Sequence, residues 1–334
     1  MLVSTMTTPA IQDLVMKSFV VETKRPAGDV RKLFHKSSQS WESNTKRIYE
    51  MDRDRLAEQK VEGQSSAQRG IAQGYYKDIV RKTISVERVV SGEAFKALEA
   101  HNLSKLATGV ASDIVEKIEL DMRNFIGYGD ATSYTDNAGF TIDTTVGDGF
   151  ALFYTAHTLK NSATTYTNIL SGAPSFSEDA MVDAEDYFNY NVLDNYGKKV
   201  TMKPNTIITT NKMVVVNRVR RMLGSVSPEA IEGTANENSG VVNPYKNKYS
   251  HLIVELDVTA LDVTDATKSY YWYLASLGGQ PEESFQAYYI SWLSPQVAPA
   301  EVNQSKWTMS FVARACYGIG ALSGKGILVS RATS

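Results

Sequence analysis

Cysteine is almost absent from this chain. Cys316 stands alone among 334 residues, so no internal disulfide can form, which fits a reducing compartment. Only four histidines occur, His35, His101, His157 and His251, and no pair has the HExxH or HxxxH spacing that places two imidazoles on one helix face. No apolar run approaches the roughly 20 residues that a membrane-spanning helix needs. The first basic residue is Lys17, so the N-terminus lacks the charged start of a secretory signal. A surplus of either charge is missing too. Lys and Arg number 35 against 37 Asp and Glu, a formal net charge of −2, which argues against a dedicated nucleic-acid binder. The expectation is a protein made and used inside a cell, with Met1 and Met6 both plausible starts.

What is present is ordinary globular material. Hydrophobic residues make up 43% and charged residues 22%, and the length suggests about two domains. Residues 1–30 end in the breaker-rich "KRPAGD" and read as an arm. The next twenty residues show no clear period. In 76–90 the residues Tyr76, Val80, Ile84, Val86 and Val90 share a parity, which predicts one strand whose face is interrupted by Lys82 and Arg88. After Gly92 the period changes to steps of three and four: Leu103, Leu106, Val110, Ile114, Ile118, Met122 and Phe125 form one face of a long helix over 93–127, ending at Gly127 and Gly129.

Ser175 and Glu178 have capping-box spacing and predict a second helix with Met181, Ala184, Phe188 and Val192 inward. "KPNTIITT" predicts a strand, and "NKMVVVNRVRRML" a helix capped by Asn211. Strands dominate from Tyr249 onward. In "KWTMSFVARACYG" the residues Trp307, Met309, Phe311, Ala313, Ala315 and Tyr317 alternate onto one side, and "GILVSR" closes the chain.

Chemical motifs are weak. His157 in "FYTAHTLKN" lies near Asp148 and invites a hydrolase reading, but no G-x-S-x-G elbow accompanies it. "YGIGALSGKGI" misses phosphate-loop spacing, because only three residues separate Gly320 from Gly324-Lys325 and Gly326 replaces the required Ser or Thr. A glycine turn between two strands explains it better. Asp257, Asp262 and Asp265 lack EF-hand spacing. The aromatics Tyr270, Tyr271, Trp272, Tyr273, Tyr288, Tyr289 and Trp292 could bind a glycan or pack a sheet, and packing is favoured.

The order of parts carries more than any motif. A long helix ending in "NFIGYGD" is followed by "DGFALFYTAHTLKN", "TNIL", a helix, "YGKKVTMKPNTIITTNKMVVVNRVRRML" and "NPY". Over most of residues 45–330 this resembles the major capsid proteins of tailed double-stranded DNA bacteriophages, the HK-ninety-seven-like fold, and in particular the Mu-like major head subunit group. The resemblance implies an α+β chain: an N-terminal arm and lead-in over 1–49, an extended E-loop hairpin over 50–91, and a P-domain with its spine helix over 92–160. It also implies an A-domain over 161–300, and over 301–334 a return to the P-domain sheet and a C-terminal strand.

The implied function is structural and non-enzymatic, with no catalytic residue, metal or cofactor. Copies would assemble as hexamers and pentamers into an icosahedral or prolate virion head, built in the bacterial host cytoplasm. The expected partners are the chain itself, a separate scaffolding protein, a portal, decoration proteins and non-specifically held DNA, with no membrane. Some relatives crosslink a loop lysine to a neighbour's asparagine; Lys60, Lys77 and Lys82 are candidates by position only, with no partner identified, and the sequence predicts neither a link nor its absence. An encapsulin-like nanocompartment shell, a hydrolase using His157, and a glycan-binding module are the alternatives.

Charge suggests where copies meet. Residues 58–90 carry six bases and four acids, +2 overall, whereas 93–125 carry four bases and six acids, −2 overall. A loop using Lys60, Arg69, Tyr75, Tyr76, Lys77, Arg81, Lys82 and Arg88 against Asp113, Glu116 and Glu119 of a neighbour's helix would favour the correct register. Reversal of Arg81, Lys82 and Arg88 to glutamate is then expected to impair assembly and leave the monomer intact.

Overall fold

The computed structural model describes residues 29–53, 71–91, 93, 100–136, 139–225, 243–254, 266–278, 284–297, 301–303 and 308–333. The chain forms two compact units. The first is built from residues up to Lys46, Ile79–Asn124 and Tyr288–Ile319, and the second from Arg47–Asp78, Phe125–Ala287 and Gly320–Ser334.

The periodicity that predicts the long helix corresponds to α1, Ala100–Gly127. Val110, Ile114, Ile118, Met122 and Phe125 are all buried, as a stripe at steps of four and three requires when one helix face meets a sheet. In the first unit that sheet has the order β1 (Phe34–Ser38), β12 (Gln286–Val297), β14 (Thr308–Ser323), β13 (Glu301–Asn303), with β4 (Lys82–Ser91) also paired to β14. The β4–β14 ladder is antiparallel and runs from Ser91↔Thr308 to Lys82↔Tyr317. Phe311, Ala313, Ala315 and Tyr317 are buried, so the alternation in this strand is real; Trp307 lies outside the described residues. The stretch 31–51, which shows no clear period, contains β1 and most of β2 (Thr45–Arg53).

One strand expectation fails. Residues 76–90 are not one strand but the end of β3 (Ile71–Val80) and all of β4, separated at Arg81. Arg81 leaves the ladder: its backbone N–H donates to Asn44 and its guanidinium to the Trp41 carbonyl, each at 2.9 Å. The parity therefore changes there. In β3 the odd positions turn inward, with Ile79 buried and Val80 65% exposed, while in β4 Val90 is buried and Val89 exposed. A one-residue offset moves every side chain to the opposite face.

The second unit has a four-stranded sheet of order β10 (Ser250–Ile253), β9 (Thr206–Thr209), β11 (Trp272–Ala275), β15 (Ile327–Ser330). The β10–β9 pair is parallel and the others antiparallel. The four buried residues of the final strand, β15, pair with β11, and residues 125–160 also cluster in this unit. Two helices, α2 (Glu178–Asp186) and α3 (Met213–Gly224), pack Met181, Ala184, Val215 and Val219 into a core with Trp272 and Leu328. Phe188 and Val192 are buried there as expected.

The caps differ from expectation. Ser177, not Ser175, begins α2, its side chain accepting from Ala180 N, and Glu178 and Asp179 then occupy the positive end of the helix. α3 starts after Lys212 without a side-chain cap, so Asn211 does not serve. Lys268 Nζ donates to the Gly127 carbonyl at 3.2 Å and pairs with Asp130 at 2.9 Å, placing a cation at the negative end of α1.

The inverted parity of β3 has a direct test. Ile79→Ala should lose about 2–4 kcal/mol in urea unfolding, from cavity and transfer terms, whereas Val80→Ala should change stability by less than about 0.5 kcal/mol. Equal losses at both positions would contradict the register.

Candidate functional site

Charged residues of β4 and α1 meet within the first unit. Asp121, 2% exposed, accepts from Lys82 Nζ at 3.0 Å, from Lys117 Nζ at 2.8 Å and from the Tyr317 hydroxyl at 2.5 Å. Arg88 reaches Asp113 at 2.6 Å near the surface, Arg31 reaches Glu119 at 3.0 Å, and Glu116 accepts from Ser112 at 2.9 Å. The acids expected to receive a neighbour's loop are thus engaged by their own chain, and so are Lys82 and Arg88. Basic residues of β4 thus meet acids of α1 within one subunit. Lys60 and Arg69 lie outside the described residues.

Tyr75, Tyr76 and Lys77 lie in the second unit. Lys77, buried, donates to Asp143 at 2.5 Å and to Thr145 at 2.6 Å. Burial alone would raise the Asp143 carboxyl, but the hydrogen bonds from Lys77 and Thr145 outweigh it and hold the group below the ordinary carboxylate range. Tyr75 hydrogen-bonds Thr158 at 3.0 Å, with Lys160 5.3 Å from its ring centroid.

Sequence reasoning missed the surface beside Tyr76. Arg47 grips Asp78 with two bonds of 2.7 and 2.6 Å, and its guanidinium lies 4.2 Å from the Tyr76 ring centroid. The Arg47 hydrogen bond lowers Asp78 in turn. Tyr49 stands 6.4 Å from Tyr76, and both rings are about half exposed. Arg and Tyr on a rigid strand pair are the residue types that dominate protein interfaces. The one available signal was the two-residue spacing of Arg47 and Tyr49 in "TKRIYEMDR". Trp41 of the first unit, 53% exposed under the Arg81 guanidinium at 4.4 Å, and Met213 and Val214, both exposed at the start of α3 in the second, were missed as well.

The residues that suggested catalysis are packing. His157 is fully buried, with Nδ1 2.8 Å from Asp148 and Nε2 3.3 Å from the Leu152 carbonyl, so both ring nitrogens face acceptors and neither faces a hydroxyl. A triad needs its second nitrogen on the nucleophile. Gly324 sits against this imidazole: a Cβ there would come within 2.6 Å of Asn168 Nδ2 and 3.0 Å of His157 Nε2. Gly326 has φ +79° and equally close neighbours, so the glycines of "SGKG" serve a tight β14–β15 turn. Trp272 and Tyr273 are buried, the indole donating to the Pro174 carbonyl, which removes them from any glycan platform. Asp257, Asp262 and Asp265 lie outside the described residues. Among those residues no helix is long and apolar enough to cross a membrane.

Two outcomes follow from these pairs. Lys82→Glu should cost about 2–4 kcal/mol in the isolated subunit, because it sets a second carboxylate beside buried Asp121. Chemical denaturation measures this, and a stable Lys82→Glu monomer would show that Asp121 does not depend on the pair. Asp143, lowered in the folded state, contributes stability present above about pH 4 and lost as pH falls through its folded value. The gap in melting temperature between the parent and Asp143→Asn should correspond to about 1 kcal/mol near pH 6, limited by solvent screening of the exposed carboxylate, and should close as pH falls through the lowered folded value. A gap independent of pH would contradict this.

No family model and no curated protein matches the sequence. Solved structures do. The capsid of an empty GTA particle is similar at a TM-score of 0.50 and 13% identity, covering 91% of this chain and 90% of that one. The capsid asymmetric unit of cyanophage Pam1 is similar at 0.50 and 10% identity, covering 90% and 89%. The finer Mu-like assignment rests on the resemblance of sequence alone. With spine-like helix, central long strand and second sheeted unit all in place, the chain has the α+β HK-ninety-seven-like fold of phage capsid proteins.

Proposed function

We propose that the chain is a major capsid protein, a structural subunit that assembles with copies of itself into hexamers and pentamers of a closed phage head around double-stranded DNA. The observation that carries this reading is the end-to-end match: about nine-tenths of this chain and of two capsid chains share one fold. The exposed Arg47–Tyr49–Tyr76 surface and the exposed Trp41, Met213 and Val214 support it, because rigid aromatic and apolar side chains at such positions are typical of surfaces covered by a partner. A near-neutral chain suits a container whose contacts with DNA are non-specific. Scaffold, portal and decoration proteins would complete the head, and the virion is the implied location.

Electron microscopy of the purified chain, alone and coexpressed with a cognate scaffold, is the test. Closed polyhedral particles or hexameric and pentameric rings are expected. A chain that stays monomeric at high concentration in both conditions would overturn the proposal. Nuclease-protected DNA in particles from infected cells is expected, and particles holding a packaged enzyme instead would transfer the chain to the nanocompartment class.

A further inference from the structure

The two helices of the second unit share a layer and carry opposite charge. Both α2 and α3 pack on the side of the four-stranded sheet that presents Ile207, Leu274 and Leu328, residues paired across β9, β11 and β15. Their outward faces are unalike. α2, "EDAMVDAED", holds five acids and no base, whereas α3, "MVVVNRVRRMLG", holds three arginines and no acid. Asp183, Asp186, Arg220 and Arg221 are exposed. Lys248 answers Glu185 at 2.7 Å, but among the described residues no ion pair reaches Asp183, Asp186 or the three arginines.

Helix dipoles account for only part of this pattern. Glu178 and Asp179 suit the positive start of α2, and Arg221 suits the negative end of α3. Asp183 and Asp186 stand toward the C-terminal end of α2, where acid opposes the dipole and no base occupies the last turn. A cation from outside the helix would relieve both.

Each charged face also ends in exposed apolar side chains. Tyr190, in the π-helical turn Tyr187–Asn191 that follows α2, is 59% exposed, and Met213 at the start of α3 is 57% exposed. Seven residues separate Asp183 from Tyr190, and seven separate Met213 from Arg220, about 10 Å of helix in each case. Laid antiparallel, the two faces bring Tyr190 to Met213 as Asp183 meets Arg220.

We propose that α2 of one copy docks antiparallel on α3 of the next copy around a ring. The inference rests on the capsid reading and specifies one of its contacts. Each copy offers its acidic helix to one neighbour and its basic helix to the other, so the contact is heterologous and closes by rotation. A two-fold contact through either helix alone would set like charges together. The apolar ends supply burial, and the charges select partner and direction.

Electron microscopy of full-length variants tests this under conditions in which the parent forms rings or shells. A chain with Asp183→Arg and Asp186→Arg, and a chain with Arg220→Glu and Arg221→Glu, should each lose both. A chain with all four changes should regain them. An equal mixture of the two defective chains should restore rings by alternation, which needs an even number of copies. Hexameric rings should therefore return while pentameric rings and closed shells do not. Assembly of either defective chain at the parent level, or no restoration in both the four-change chain and the mixture, would overturn the contact and leave the capsid reading in place. A parent that forms neither rings nor shells would overturn both. A chain with Tyr190→Cys and Met213→Cys keeps every native charge, and Cys316 is buried. Oxidation of its particles should give a ladder of disulfide-linked copies in denaturing electrophoresis. Monomer alone from assembled particles would overturn the alignment, whatever the folding of the charge variants.

Discussion

A carboxylate buried to 2% exposure organises the first unit. Asp121 projects from α1 and receives Lys82 from β4, the Tyr317 hydroxyl from β14 and Lys117 from its own helix. An ionised group at that depth is tolerated only while its lone pairs are occupied. Register errors are therefore costly. A one-residue slip of β4 on β14 would take Lys82 away from the carboxylate while also turning Val90 outward. The charge fixes which helix face meets which strand pair, and the apolar stripe from Val110 to Met122 supplies the burial that makes the contact favourable.

Lys82 and Arg88 have the right sign for a neighbour's acidic helix, and each is paired with an acid of its own helix. What is left for a neighbour is different in kind: aromatic rings pinned by guanidinium groups, at Tyr76 under Arg47 and at Trp41 under Arg81. Such groups lose little side-chain entropy on association, because their rotamers are already constrained. At this surface the account of assembly thus shifts from a salt-dependent charge match to rigid aromatic contacts.

Much of the architecture was legible where one physical pattern ruled without competition. The helix face from Val110 to Phe125 and the odd positions of β14 were readable because burial on a single side imposes a single period. The break at Arg81 was not, since no glycine or proline marks it and valines at 80, 89 and 90 look alike before the faces are known. Ser177 was passed over for Ser175 because the capping-box spacing pointed two residues early. Partners were the least legible. Net charge gave the sign of Lys82 and Asp121 but not that they belong to each other. Conversely, His157 and the "SGKG" turn drew attention as chemistry although their residue types follow from close packing.

The central claim is a self-assembling shell subunit whose loop base is anchored by its own helix. A side-chain-resolution cryo-electron microscopy map of the particles tests it most directly. The account expects a closed shell in which Lys82 contacts Asp121 of the same chain while Tyr49 and Tyr76 are covered by an adjoining copy. A map with Lys82 on a neighbour's helix and the two tyrosines open to solvent, or no shell at all, would contradict it.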